Sequence, residues 1–315
     1  MKDLFEYVKN IDFSLQYICE ATPEDKAINK WLKQHNCVKI KAVDGKLVLS
    51  GRTNAIENEF NLLPGEETLP DNIKFADWKN SCALTITAPS AKSVSWAPVS
   101  ENDGECYFKD CKALEDFDCD YSKYNGRCLT FKDCDRLKSF SGLKNIKRKH
   151  PIMIDFYNCA SIKSLKQLDG VNYILGNISG CPIKNLEGSK TWNGYNDALI
   201  NGLPELESFD GAVFKDFTGI TKELYSFGAK DCPKLKRLGK VDFCNSKIRY
   251  IYFWNCPSVG REMLQDLIDN VPFDKSEDEF GWFKCIFGKC GIDEERDKDL
   301  LDKLSKVSGL NIEVK

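Results

Sequence analysis

The sequence contains no long apolar run. Nowhere do about 18 apolar residues, the length that a membrane-spanning helix needs, follow one another without a charge. The first residues, MKDLFEYVKNIDF, also lack the apolar core and small-residue cleavage site of a secretory signal. From these absences we expect a soluble, cytoplasmic protein without a membrane partner.

Histidine is almost absent, with His35 and His150 the only two among 315 residues. The 15 cysteines include no C-x2-C pair, so the ligand spacing of structural zinc sites is missing. An odd number of cysteines in a chain without an export signal also disfavours a disulfide framework. The sequence therefore predicts reduced, mostly buried thiols, no metal and no cofactor.

Catalytic motifs are missing as well. The sequence has no G-x4-G-K-[ST], H-E-x-x-H, G-x-S-x-G or G-x-G-x-x-G segment. A nucleophilic Ser or Cys would need one of the two histidines as its base. We therefore expect a protein that is not an enzyme. Lys and Arg number 45 against 48 Asp and Glu, so no overall basic excess indicates nucleic acid as a partner.

What the sequence does contain is a repeat. An apolar residue, any residue, an apolar residue and two further residues lead to a cysteine, and apolar residues follow three and six positions later. Cys106, Phe108 and Cys111, with Leu114 and Phe117, form one such unit. The anchor residues lie 22 to 29 positions apart and are Pro89, Cys111, Cys134, Cys159, Cys181, Leu203, Cys232 and Cys256.

The alternating apolar pair in each unit predicts a short strand with one face directed inward. A single unit cannot bury its own apolar face, so the units must stack and form a parallel sheet with specialised ends. The unit before Cys181 varies from the template, which there places Gly176 and Ile178 at the inward positions.

The template resembles the leucine-rich-repeat signature, L-x-x-L-x-L-x-x-(N/C)-x-L, with its period of about 20 to 29 residues, over roughly residues 84–260. This resemblance implies an α/β solenoid, a right-handed coil of about seven to nine units with a parallel β-sheet. Because the segments between the units vary in length, we expect irregular convex loops. The resemblance also implies a non-catalytic scaffold that binds another protein on its concave face or rim.

Residues 1–60 are predicted to form an N-terminal cap. Thr22 and Pro23 begin a helix that Asn36 ends, and an Asp-Gly pair joins residues 38–42 to a second strand as a hairpin. Such a leader before Cys-containing repeats resembles the small repeat proteins of bacteria and their phages. That resemblance implies an inhibitor, an anti-defence factor or a virion-associated factor, in the host cytoplasm if the chain is viral.

The solenoid is predicted to span residues 61–260, and residues 261–315 are predicted to form a helical repeat and a C-terminal cap. Apolar residues recur at helical spacing between Met263 and Val271 and again between Leu300 and Val307. A closing strand at residues 310–314 would protect the sheet edge.

Residues between and just after the apolar pair of each strand should face away from the core. Large amphipathic rings at such positions are favoured contacts in recognition surfaces. The alternative is that they form aromatic ladders between neighbouring strands or pack against the C-terminal cap. The predicted partner-binding residues are Tyr107, Lys132, Asp155, Tyr157, Tyr252 and Trp254.

Two other functions stay open at this point. An effector-type enzyme with a reactive Cys would use the repeats to recruit substrates, although little of the chain lies outside them. A nucleic-acid binder would use the basic runs at residues 144–150 and 234–240. The acidic residues at 274–279 lack the spacing of a calcium loop and predict a solvated loop.

Overall fold

The computed structural model describes the chain in several segments. These are residues 30, 40–43, 46–49, 58–61, 83–87, 105–117, 128–144, 151–189, 197–213, 226–244, 246–274, 276 and 283–315. Of the N-terminal helix predicted between Thr22 and Asn36, only Lys30 is described, and it is helical. Of the basic run at 144–150, only Lys144 is described. Residues 214–225, which belong to the predicted irregular loops, also lie outside the described residues.

An antiparallel hairpin comes first among the described strands. Strand β1 (Ile40–Val43) pairs with β2 (Lys46–Leu49), and Val43 lies opposite Lys46. This pairing leaves the Asp-Gly pair as a two-residue connection, the length that favours tight hairpin turns. The predicted hairpin is confirmed.

The remaining described strands form two parallel sheets in which each strand pairs with its neighbours in the sequence. The six-stranded sheet contains β3 (Asn58–Asn61), β4 (Ala83–Thr87), β5 (Glu105–Lys109), β6 (Cys128–Lys132), β7 (Ile152–Tyr157) and β8 (Tyr173–Ser179). The five-stranded sheet contains β9 (Asp197–Asn201), β10 (Ser226–Lys230), β11 (Tyr250–Trp254), β12 (Lys284–Gly288) and β13 (Asn311–Val314). Each repeat unit from Leu84 onward therefore supplies one strand, as predicted.

The core lies on one side of these sheets and is built from the template positions. In β5 the side chains of Cys106 and Phe108 are buried, and Cys111, Leu114 and Phe117 after the strand are fully buried. Phe131 and Phe156 occupy the position of Phe108 in the next two strands. The rings of neighbouring strands stack at centroid distances of 5.4 and 5.6 Å. Period-two burial in the strand and period-three burial after it are both as predicted.

A residue with positive φ follows each strand from β5 to β12 and joins it to the next repeat. The backbone N–H of each donates to a carbonyl beside the following strand at 2.7 to 3.0 Å. Asp, Asn and Gly tolerate this left-handed conformation better than other residues. The residues, with φ between 51° and 67°, are Asp110, Asp133, Asn158, Gly180, Gly202, Asp231, Asn255 and Lys289.

Strand β8 departs from the predicted inward pair. The register against β7 shifts between Ile154 and Phe156, so Leu175 pairs with Ile154 while Ile178 pairs with Phe156. Leu175 is fully buried and takes the inward place that the template gave to Gly176. The bulge inserts one extra residue, which a template of fixed spacing does not anticipate.

Two helices pack against the core in the last part of the chain. Helix α1 (Arg261–Asn270) buries Met263, Leu264 and Leu267, and α2 (Lys298–Ser308) buries Leu304. Strand β13 then pairs with β12, so both predicted helices and the closing strand are confirmed. Within the described part of the chain, no helix combines the length and apolar character that crossing a bilayer requires.

Candidate binding surface

The six predicted contact residues lie on the face of the sheets opposite the core, which we call the outward face. Tyr107 lies opposite Thr130, and Thr130 opposite Asp155, across β5, β6 and β7. Tyr252 and Trp254 lie on β11 in the other sheet. The structure therefore places the six residues in two separate groups, one on each sheet.

The first group surrounds a buried carboxylate. Asp155 is only 7% exposed although its strand position faces outward. Its Oδ1 accepts a hydrogen bond from the backbone N–H of Asn177 at 2.6 Å, and its Oδ2 accepts from the Thr130 hydroxyl at 3.3 Å and the Cys128 thiol at 3.4 Å. The Asn177 N–H belongs to the bulge of β8, so the carboxylate stabilises that irregular backbone.

Burial raises the pKa of Asp155, while the bonds from Asn177, Cys128 and Thr130 act in the opposite direction. Burial also raises the pKa of the Cys128 thiol, and the Asp155 carboxylate raises it further. Desolvation costs the charged form of each group more than the neutral form. Both oxygens of Asp155 are bonded within the protein, and little of the side chain is exposed. Asp155 therefore offers little surface for the direct partner contact that the sequence predicted.

Tyrosines lie beside this carboxylate. The Tyr107 hydroxyl donates to Glu105 Oε2 at 2.7 Å, and burial together with this bond raises the pKa of Tyr107. Burial also raises the pKa of Tyr157, which is partly exposed next to an exposed Lys132. We call this group the polar patch, and its members are Glu105, Tyr107, Cys128, Thr130, Lys132, Asp155 and Tyr157.

The second group is a row of three aromatic rings on a single strand. Tyr250, Tyr252 and Trp254 alternate with the buried Ile251 and Phe253, so all three rings stand on the outward face and are partly exposed. The planes of Tyr252 and Trp254 are parallel within 2° at a centroid distance of 6.1 Å. Those of Tyr250 and Tyr252 are parallel within 10° at 6.5 Å. We call these three residues the aromatic row.

Glycines flank the aromatic row on both neighbouring strands. Gly228 on β10 pairs with Tyr252, and Gly288 on β12 pairs with Trp254. A Cβ on Gly228 would overlap the Tyr252 carbonyl, and a Cβ on Gly288 would overlap the indole carbons of Trp254. Glycine at both positions therefore lets the strands approach closely and lets the indole lean over β12.

The cysteines of the repeat lie in the core. Cys134 Sγ lies 3.4 Å from the carbonyl oxygens of Phe108 and Lys132, so the thiol bridges two neighbouring units. Burial raises the pKa of Cys290 to about 12 and that of Cys285 well above its usual value. Among the described residues, no group of three or more His, Cys, Asp or Glu side chains is arranged to hold a metal ion.

The second basic run is paired with acids of the preceding repeat. Lys234 bonds Glu205 at 2.6 Å, and Arg237 bonds Asp210 at 2.8 Å. Lys236 also lies 3.8 Å from Glu207. This run therefore forms bridges between repeats and is not an unneutralised basic surface.

The acidic segment at 274–279 is not wholly solvated as predicted, because Asp274 is only 5% exposed and pairs with Arg249. Two further features of the binding surface were missed. Seven of the eight residues with positive φ, all except Lys289, were visible as Asp, Asn or Gly directly before the cysteine or leucine anchor, and Tyr250 was visible as a ring two positions before Tyr252.

In comparisons with known proteins, no family model, curated protein or solved structure matches the chain. Over the described residues, the chain is an α/β protein with two parallel sheets, a two-stranded hairpin, few helices and two distinct outward faces.

Proposed function

We propose that the chain is a non-catalytic scaffold that binds another protein through the outward face of its sheets. In this proposal the repeats wind as a leucine-rich-repeat-like, right-handed solenoid. Support comes from the strictly sequential parallel strands, one to each repeat, and from the bond that joins each turn to the next repeat. A stack of this kind offers one extended surface to a partner.

The aromatic row is the observation that carries the proposal. Large rings supply much contact area at a small cost in conformational entropy, and they dominate the energy of many protein interfaces. Tyr250, Tyr252 and Trp254 are partly exposed side by side. On the other sheet Tyr107, Lys132 and Tyr157 are exposed enough to add contacts, whereas Asp155 is nearly buried and bonds Thr130, Cys128 and Asn177.

The experiment is affinity capture from the native source with the tagged full-length chain and mass spectrometry. We expect the double substitution Tyr252→Ala and Trp254→Ala to remove the specific partner, since hot-spot truncations commonly cost about 2 kcal/mol or more. Circular dichroism checks that the variant is folded. The matched control is Val307→Ala, which shortens an exposed apolar residue on α2.

A partner that the wild-type chain and the double variant retain equally would contradict this choice of surface. Loss of the partner in the Val307→Ala control as well would show that the effect is not specific to the aromatic row.

A further inference from the structure

The aromatic row lies in a basic surrounding. One lysine ends β10, one begins β12, one follows β12 in the turn and one follows β13. The side chains of the lysines at β10, at the start of β12 and after β13 are 36% to 52% exposed. The four are Lys230, Lys284, Lys289 and Lys315.

The carboxylates near the row are already engaged. Glu313 accepts from Lys284 at 3.0 Å and from Lys315 at 2.6 Å. Asp231 accepts from the side-chain amide of Asn255 at 2.6 Å and lies 4.0 Å from Lys230. Among the side chains that the structure describes around the rings, four ammonium groups against two carboxylates leave a positive excess, which is complementary to an anionic partner.

The other sheet limits how far an anionic partner extends. Glu105 lies on the outward face of the six-stranded sheet, and Asp110 and Asp133 follow β5 and β6. A long polyanion that ran across the strands would meet these like charges. The positive surface around the aromatic row is therefore suited to a short anionic segment.

We propose that the aromatic row and its lysines bind a short acidic peptide segment of a partner protein, with apolar side chains against the rings and carboxylates beside Lys230, Lys289 and Lys315. This inference rests on the proposed scaffold function and names the chemistry of its partner. The partly exposed Tyr and Trp rings provide the apolar contact, while the exposed ammonium groups select the charge.

The test measures fluorescence anisotropy of labelled probes with the full-length chain. The probes are a short peptide of alternating Glu and Leu, the matched peptide of Lys and Leu, and a short oligothymidylate. We expect the acidic peptide to bind at least about tenfold more tightly than the basic one, and to weaken as salt screens the lysines. Trp254→Ala should abolish this binding.

Charge reversal provides the matched pair of variants. Lys230→Glu should weaken the acidic peptide about tenfold or more. Lys109→Glu should change its affinity less than about twofold, because the two lysines lie in different sheets. Both are the last residue of a strand and precede an Asp with positive φ and a buried Cys, so the local structure is the same.

Equal binding of the two peptides, or tighter binding of the oligothymidylate, would overturn the inference. So would an unchanged affinity in Trp254→Ala. If the native partner is lost in the Tyr252→Ala, Trp254→Ala variant while the acidic peptide does not bind, the scaffold function stands and only the acidic partner is wrong.

Discussion

The outward faces of the two sheets use their polar and aromatic groups differently. In the six-stranded sheet, side chains on adjacent strands bond one another, and Asp155 at the centre is nearly buried. In the five-stranded sheet, three rings stand in parallel on β11 between glycines. The polar patch is thus largely satisfied within the protein, while the aromatic row retains ring surface for a partner.

Strand position alone therefore does not decide whether a residue is exposed to solvent. A carboxylate on an outward position becomes buried when its neighbours supply donors and larger side chains cover it. Aromatic rings do not bury one another in that way. The stacking energy between two rings is small compared with the energy available from burying their apolar surface against a partner. Neighbouring residues decide which of the two outcomes occurs.

Gly228→Ala tests the close approach of β10 to β11 beside the aromatic row. The added methyl would overlap the Tyr252 carbonyl, so β10 and β11 must separate. We expect the free energy of unfolding to fall by about 3 kcal/mol, measured by urea denaturation, as for an overpacked core. Gly260→Ala is the control, since its methyl would lie 3.5 Å from its nearest neighbour. Equal stability of the two variants would contradict the close approach.

The acid sensitivity of the last part of the chain depends on Asp297. Its carboxylate is fully buried, and bonds from Arg296 hold its pKa well below the usual range. Its contribution to stability is therefore present above the unfolded pKa and is lost as the pH falls through the folded one. Asp297→Asn should cost about 2 kcal/mol near neutral pH, because charged hydrogen bonds are removed.

Asp299→Asn is the matched control for this acid effect. Arg261 pairs with both carboxylates, at 3.2 Å from Asp297 and at 2.9 Å from Asp299, but Asp299 is 64% exposed. Exposed pairs contribute about 0 to 1 kcal/mol, so this variant should change the free energy of unfolding little. A larger loss from Asp299→Asn than from Asp297→Asn would contradict the assignment.

The pH dependence of the polar patch should have the opposite sign. Burial raises the pKa of Asp155, so the folded state keeps its proton to a higher pH than the unfolded state does. The contribution of Asp155 to stability is then largest below the unfolded pKa and falls as the pH rises through the raised pKa. We expect Asp155→Asn to remove this fall, measured by urea denaturation across pH.

Asp155→Ala separates the hydrogen bonds from the charge. The alanine variant leaves the Asn177 N–H without its carboxylate acceptor and should cost about 1 to 2 kcal/mol, whereas asparagine keeps an oxygen there. Equal losses from alanine and asparagine would show that the carboxylate does not stabilise the bulge.

Gly288→Ala is expected to change stability only slightly. Its methyl would overlap the Trp254 indole, a partly exposed side chain that can rotate away at a cost of about 1 kcal/mol. Partner or peptide affinity should nevertheless fall several-fold, because the parallel arrangement of the rings is lost. Unchanged affinity would mean that the ring geometry is unimportant and that only its apolar area matters.

Much of the local structure could be predicted from the sequence, because the apolar pair and the spaced core residues report burial directly. Cys111, Leu114 and Phe117 are all fully buried where the template placed them. The bulge in β8 could not be predicted in the same way. Leu175 replaces Gly176 as the inward residue where the backbone N–H of Asn177 in the next strand bonds Asp155, and such a contact between repeats has no local signature.

The candidate surface was predicted in part. The positions of Tyr252 and Trp254 followed from strand alternation, but the carboxylate of Asp155 is bonded by Thr130, Cys128 and Asn177 from other repeats. Residues this far apart in the sequence come together only once the register between strands is known. The roles of Gly228 and Gly288 depend on the same register.

The column of turn residues with positive φ explains how repeats of unequal length coexist in one protein. Each repeat is aligned to the next at the end of its strand, where one N–H meets one carbonyl. Beyond the buried apolar residues that follow the anchor, such as Leu114 and Phe117, the remainder of each repeat can then lengthen or shorten without shifting this alignment. Insertions placed in that remainder should be tolerated, because the strands keep their register.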